Sequence, residues 1–174
     1  MTFQFFLASI ESPALRAIAQ HWHSARGARR MPGWRNIDPA AIAPHLPIVW
    51  AWKYDRDTDS FTGRLSGEEI SAVFGKSVRG AVMREYFSAS QYNVIFGCYK
   101  QVVTEPALMH GGGPVFGHVE RQGSCERIIL PLAADGIEGD GVLGATFYHL
   151  PWRPQRDGSL RVEPRLETIE YFPV

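Results

Sequence analysis

The sequence predicts an α+β domain in which a mostly antiparallel sheet is covered by helices on both sides. Three observations carry this. Ile48, Trp50, Trp52 and Tyr54 alternate with Val49 and Ala51, and Leu143, Ala145 and Phe147 alternate with Val142, Gly144, Thr146 and Tyr148, so period-two runs are apolar on both faces. Tyr92, Ile95, Phe96, Tyr99, Val102 and Val103 fall on one stripe at helical spacing, and a second stripe, Leu15, Ile18, Ala19 and Trp22, precedes every strand. A sheet apolar on both faces must be covered on both, and helices are the available covers.

Composition sets the frame. The chain has 174 residues, 45% apolar and 21% charged, which excludes a coiled coil, a disordered linker and a disulfide scaffold. A chain of this length buries about two thirds of its unfolded surface and needs no metal or cross-link for a core. Its 18 basic and 18 acidic side chains cancel, which removes the long-range field of a dedicated nucleic-acid binder. Cys98 and Cys125 have neither metal-ligand nor redox spacing and read as small core hydrophobes. The apolar N-terminal run lacks a preceding basic region and ends at Glu11, so neither a secretory signal nor a membrane span is expected, and the chain reads as cytoplasmic.

Ser12-Pro13 is a helix start, with serine as cap and proline where the missing N–H has no helical partner, and Gly27 is the stop. Asp38-Pro39 repeats the signal for a short second helix, ended by His45-Leu46-Pro47. Residues 1–46 thus form a leading helical segment. From Ile48 a strand runs to the polar turn at Asp55 to Ser60 and returns through Phe61, Gly63 and Leu65 as a hairpin. A helix opens after Gly67 and closes at Gly75, the stretch Lys76 to Phe87 is ambiguous, and Ser88 or Ser90 caps the long helix that ends before Pro106. Strands follow at Ala107 to His110, Val115 to Arg121, Glu126 to Ala133 and Val142 to Leu150, with Gly111-Gly112-Gly113 read as a tight turn. The core spans 47–150, and 151–174, rich in Arg and Pro, reads as a tail or a late edge strand from Leu160 to Phe172.

Several spaced motifs now come together. Trp22-x-x-x-Arg26-Gly27-x-Arg29-x-Met31-Pro32 precedes Ile37-Asp38-Pro39-x-x-Ile42-x-x-x-Leu46-Pro47; Phe61-x-x-Arg64-Leu65-x-Gly67-x-x-Ile70, Ile129-Leu130-Pro131-Leu132-Ala133-x-Asp135-Gly136 and Leu143-Gly144 follow. From Ser12 to Leu150 the chain resembles a bacterial family of small stand-alone PAS-like proteins. The resemblance implies a five-stranded antiparallel sheet with helices on one face and the N-terminal helix on the other face or at a dimer interface. It also implies a sensory, regulatory or protein-interaction role, and it transfers no catalytic residue. Trp34 departs from the pattern, which would place a small or charged residue there.

Other motifs have plainer readings. Gly139-x-Gly141-x-x-Gly144 matches a dinucleotide fingerprint in letters, but strand rather than helix follows it. No two of the six histidines show zinc spacing, no Gly-x-Ser-x-Gly elbow exists, and Glu68-Glu69 suits a helix N-terminus. No catalytic and no metal-binding residue is assigned. Trp52, Tyr92, Phe96, Tyr99, His110 and Phe147 are the expected lining of a ligand cavity between the sheet and the long helix. Such a cavity would take a small apolar ligand, or a haem with His110 or His149 as axial ligand. Between Ser12 and Ile37 there is no acidic residue, and Arg26, Arg29, Arg30 and Arg35 are the expected partner- or anion-binding group.

The leading expectation is a regulatory module that acts through a protein partner, within a homodimer joined at Leu15, Ile18 and Trp22. One alternative is a small α+β enzyme using the same cavity, with His110 or His149 as base. Another is an anion or nucleic-acid binder acting through the arginine segment.

Overall fold

The structure is a computed structural model that describes residues 2–116, 122–151, 163–164 and 167–174. The apolar run at the N-terminus forms helix α1 (Thr2–Ser9). Phe3, Phe6, Leu7 and Ile10 have the 3, 4 and 7 spacing of a buried helical stripe, and Phe6 and Ile10 are fully buried. Helix α2 (Pro13–Arg26) starts and stops where the sequence places it: Ser12 Oγ accepts the Leu15 N–H at 3.4 Å, and Gly27 sits at φ +57°. Asp38 Oδ1 caps the next segment at Ala40 N–H, 2.9 Å, but Pro39–Ile48 is a 3-10 run kinked at Ile42. Pro44 and Pro47 remove the donors that an α-helix would need.

Strands β1 (Val49–Asp55) and β2 (Ser60–Ser66) form the hairpin. Helix α3 (Glu68–Phe74), the single turn α4 (Met83–Tyr86) and helix α5 (Ala89–Thr104) cross from it to β3 (Ala107–Phe116), β4 (Gln122–Leu132) and β5 (Gly141–His149). The antiparallel order is β2-β1-β5-β4-β3. The sheet has seven strands rather than five, because β6 (Glu163–Pro164) and β7 (Thr168–Pro173) both add to the free edge of β3. Of the two readings for the C-terminal segment, Thr168–Pro173 takes the edge strand; residues 152–162 and 165–166, like His118, lie outside the described residues.

The glycine turn expected at Gly111-Gly112-Gly113 is absent, and β3 runs straight through it. A Cβ at Gly111 would strike the Thr168 carbonyl of β7, and one at Gly112 the Cys125 carbonyl of β4. The glycines let two neighbouring backbones approach closely, so their role is in the sheet, not in a turn. The fingerprint-like glycines have a similar explanation: Trp34 lies against Gly141 and the Trp50 indole lies over Gly144.

Two buried clusters lie on the two faces. On the N-terminal face Phe6, Ile10, Leu15, Ile18 and Trp22 pack against Val49, Ala51, Leu108, Ile128, Leu130, Leu143 and Ala145. On the other face Ile95, Tyr99, Val102 and Val103 of α5 pack against Trp50, Trp52, Met109, Ile129 and Val142. The dimer contact expected at Leu15, Ile18 and Trp22 is therefore corrected: all three are at most 1% exposed within one chain and offer no surface to a second. They cover the sheet instead, each burial contributing about 1.5–3 kcal/mol before entropy is subtracted.

Candidate functional site

Strand alternation places one charged residue inside the α5 face. Arg127 shares its side of β4 with Ile129, is 4% exposed, and faces Thr146 of β5 across the ladder. Thr146 Oγ1 accepts from Arg127 Nε and from Trp50 Nε1, each at 2.9 Å. The guanidinium lies 5.8 Å from the centre of the Trp50 ring, which stacks on Tyr99 at 5.0 Å. Tyr148 completes the group; its hydroxyl is buried close to Arg127 and Thr146 but meets no partner at hydrogen-bonding geometry.

The electrostatics of this group are unbalanced. A guanidinium stays charged, and burying it without a counter-charge costs several kcal/mol. No carboxylate among the described residues pairs with Arg127. The phenols do not supply the charge at neutral pH. Burial, opposed by Arg127, pushes Tyr148 up to about 12, and burial pushes Tyr99 higher still.

The space around these groups is small. Trp50, Trp52, Phe74, Tyr86 and Tyr99 close on Arg127 and Tyr148 to leave a cavity of about 10 Å³, at the lower limit for one water. A clasp holds the wall: Lys76 Nζ donates to the Tyr86 carbonyl at 2.7 Å, and the Tyr86 hydroxyl donates to the Lys76 carbonyl at 3.0 Å.

The six residues expected to line one cavity do not meet. Trp52 and Tyr99 are in this core, and Tyr92 and Phe96 are half-buried at its edge, stacked on each other at 5.2 Å. His110 and Phe147 lie on the N-terminal face, because His110 shares its side of β3 with Leu108 and Phe147 shares its side of β5 with Leu143 and Ala145. His149 is exposed and turned the same way, its ring 4.7 Å from that of Phe147. Neither histidine is placed to act as base or axial ligand in the α5-side core.

His110 instead belongs to a clasp on the opposite side of β4. Its Nε2 lies 2.9 Å from Glu126 Oε1. The same carboxylate accepts the backbone N–H groups of Glu11 at 2.6 Å and Ser12 at 2.8 Å. Glu126 thereby ties the junction of α1 and α2 to the sheet.

The arginine group is also divided. Arg26 Nε donates to His23 Nδ1 at 3.2 Å, beside a small hollow that includes Thr2 and Phe3, and Arg30 Nε reaches the Val174 carbonyl at 3.4 Å. Arg29 and Arg35 line a different cleft, with Lys53, Arg64 and Trp34. The joint patch expected of the four arginines is therefore corrected to two separate places.

Among the described residues no three His, Cys, Asp or Glu side chains are grouped to hold a metal ion, and no helix is long and apolar enough to cross a membrane. Cys98 and Cys125 are buried free thiols. Compared with known families, residues 10–147 match a family model described as PAS domain. No curated protein and no solved structure matches the chain.

Proposed function

Since the chain belongs to the PAS domain family, which its residues 10–147 match, we propose that it is a cytoplasmic sensory or regulatory module with its sensing group in the α5-side core. The observation that carries this is the buried Arg127 guanidinium, which has no carboxylate beside it among the described residues. A small, largely apolar molecule with one anionic group supplies what the core lacks, a counter-charge for Arg127 and an acceptor for the Tyr148 hydroxyl. Entry displaces the aromatic wall, and the Lys76–Tyr86 clasp is the contact that has to yield.

The output runs across the strand. Arg127 and Glu126 are consecutive and point to opposite faces, so a shift of β4 that accommodates an anion at Arg127 also moves the carboxylate that holds Glu11 and Ser12. The N-terminal helices then present an altered surface to a partner protein, and the role is regulatory rather than catalytic.

The experiment is a titration of the full chain with benzoate and with octanoate, followed by tryptophan fluorescence and by amide exchange at Glu11 and Ser12. The expected result is a saturable response to at least one acid, with faster exchange at those two amides, both lost in a folded Arg127→Met variant. A flat titration with both acids, or an undiminished response in Arg127→Met, overturns the reading.

A further inference from the structure

A second concave site lies outside the core and stands independently of the reading above. Arg29 and Arg35 from the leading segment meet Lys53 of β1 and Arg64 of β2 around a cleft of about 630 Å³. A bulge aims one of them: Leu65 pairs with Ala51 and Gly63 with Trp52, which leaves Arg64 as the extra residue between. None of the four cations is paired with a carboxylate among the described residues. The Nε and Nη2 of Arg29 reach only carbonyls of the last turn of α2, at 3.4 Å.

Asp140 is the one acid lining this cleft, and both its oxygens are engaged elsewhere. Oδ1 accepts from Trp34 Nε1 at 2.8 Å and Oδ2 from the Ala134 N–H at 3.1 Å. Its work is to fix the edge of the half-buried indole, which lines the cleft beside the cations. The volume is that of a small-molecule site. An adjoining hollow shares Lys53 and Arg64 and adds Arg56 together with Asp55, Asp135 and Glu138, so the basic lining passes into mixed charge rather than into a track for an extended phosphate chain, and the net charge of zero gives no long-range attraction for one.

We propose that this cleft binds a nucleoside polyphosphate, with the phosphates among Arg29, Arg35, Lys53 and Arg64 and the base against Trp34. Like charges that repel one another in the free protein are then neutralised by one multivalent anion. The indole adds a stacking plane that distinguishes a nucleotide from free phosphate.

Calorimetric titration of the full chain with ATP, tripolyphosphate and adenosine tests this. ATP is expected to bind at one site, and tripolyphosphate about tenfold more weakly for want of one base–aromatic stack. Adenosine is expected to bind more weakly still. Lys53 and Arg64 are exposed, so the double variant Lys53→Glu with Arg64→Glu keeps its fold, checked by circular dichroism, and loses at least about tenfold in ATP affinity. No saturable heat with ATP, unchanged affinity in the double variant, or tripolyphosphate as tight as ATP each overturns the proposal. Because none of these outcomes touches Arg127, failure here leaves the reading of the core standing.

Discussion

Consecutive residues of β4 meet opposite circumstances on the two faces of the sheet. On the N-terminal face, Glu126 is matched by Glu11 N–H, Ser12 N–H and His110, and Trp22 Nε1 donates to the Pro131 carbonyl at 2.8 Å. On the α5 face, Arg127 has one hydroxyl acceptor and no counter-charge among the described residues, and Tyr148 has an unused hydroxyl. A face whose polar groups are all answered is built to hold the fold together. A face that buries a charge without answering it spends stability, and such expense is expected where a site serves binding rather than packing.

The largest test of this contrast is on the satisfied face. Trp22 is 1% exposed and fills the space between α2 and the sheet, so Trp22→Ala is expected to cost about 3–5 kcal/mol in urea unfolding. A loss below about 1 kcal/mol, the range of an uncritical surface change, would show that α2 is not part of the core. The opposite sign is expected on the other face. Arg127→Met replaces an unpaired buried cation by an apolar chain of similar reach and leaves Thr146 its bond to Trp50, so the protein gains about 1–4 kcal/mol. A loss of stability in that variant would mean that the charge is answered after all, and the contrast would collapse.

How much of this was legible in the sequence depends on which rule governed each residue. The faces of β1, β4 and β5 follow from period-two alternation, and α2 from its cap, its proline and its glycine stop. The same alternation places Arg127 on the side of Ile129 and His110 on the side of Leu108, and applying it to polar as well as apolar positions was the available route to the core site. Charged residues are rarely buried, so residue type alone places Arg127 at the surface and only its position in the alternation places it in the core. Helix α1 is eight residues long, too short for its stripe to stand out from a generally apolar N-terminal run. The Gly111 to Gly113 run misled because glycine serves both turns and close strand approach, and only the neighbours Thr168 and Cys125 decide between them. The cleft at Arg29 and Arg35 needed Lys53 and Arg64, which long-range folding brings beside them and no local pattern announces.

The smallest expected effect separates the two halves of the satisfied face. His23 of α2 stacks on Phe3 of α1 with ring centres 3.9 Å apart, and its Nδ1 accepts from Arg26. Burial, and then the Arg26 charge, holds its pKa below the ordinary value of 6.5. The folded form therefore binds a proton less readily than the unfolded chain. The stabilisation from neutral His23 is fully present above about pH 6.5 and is lost as the pH falls below it. Glu126, by contrast, anchors the junction of α1 and α2 through the backbone amides of Glu11 and Ser12, away from this stack. The protection of the α1 amides, taken relative to exchange of an unstructured amide at the same pH, is thus expected to fall between pH 7 and pH 5 while that of Val102 and Val103 stays constant, and His23→Phe, which keeps the stack without the proton, abolishes the change. An α1 that loosens equally in His23→Phe would show that the stack on Phe3 is not what makes this helix pair sensitive to acid.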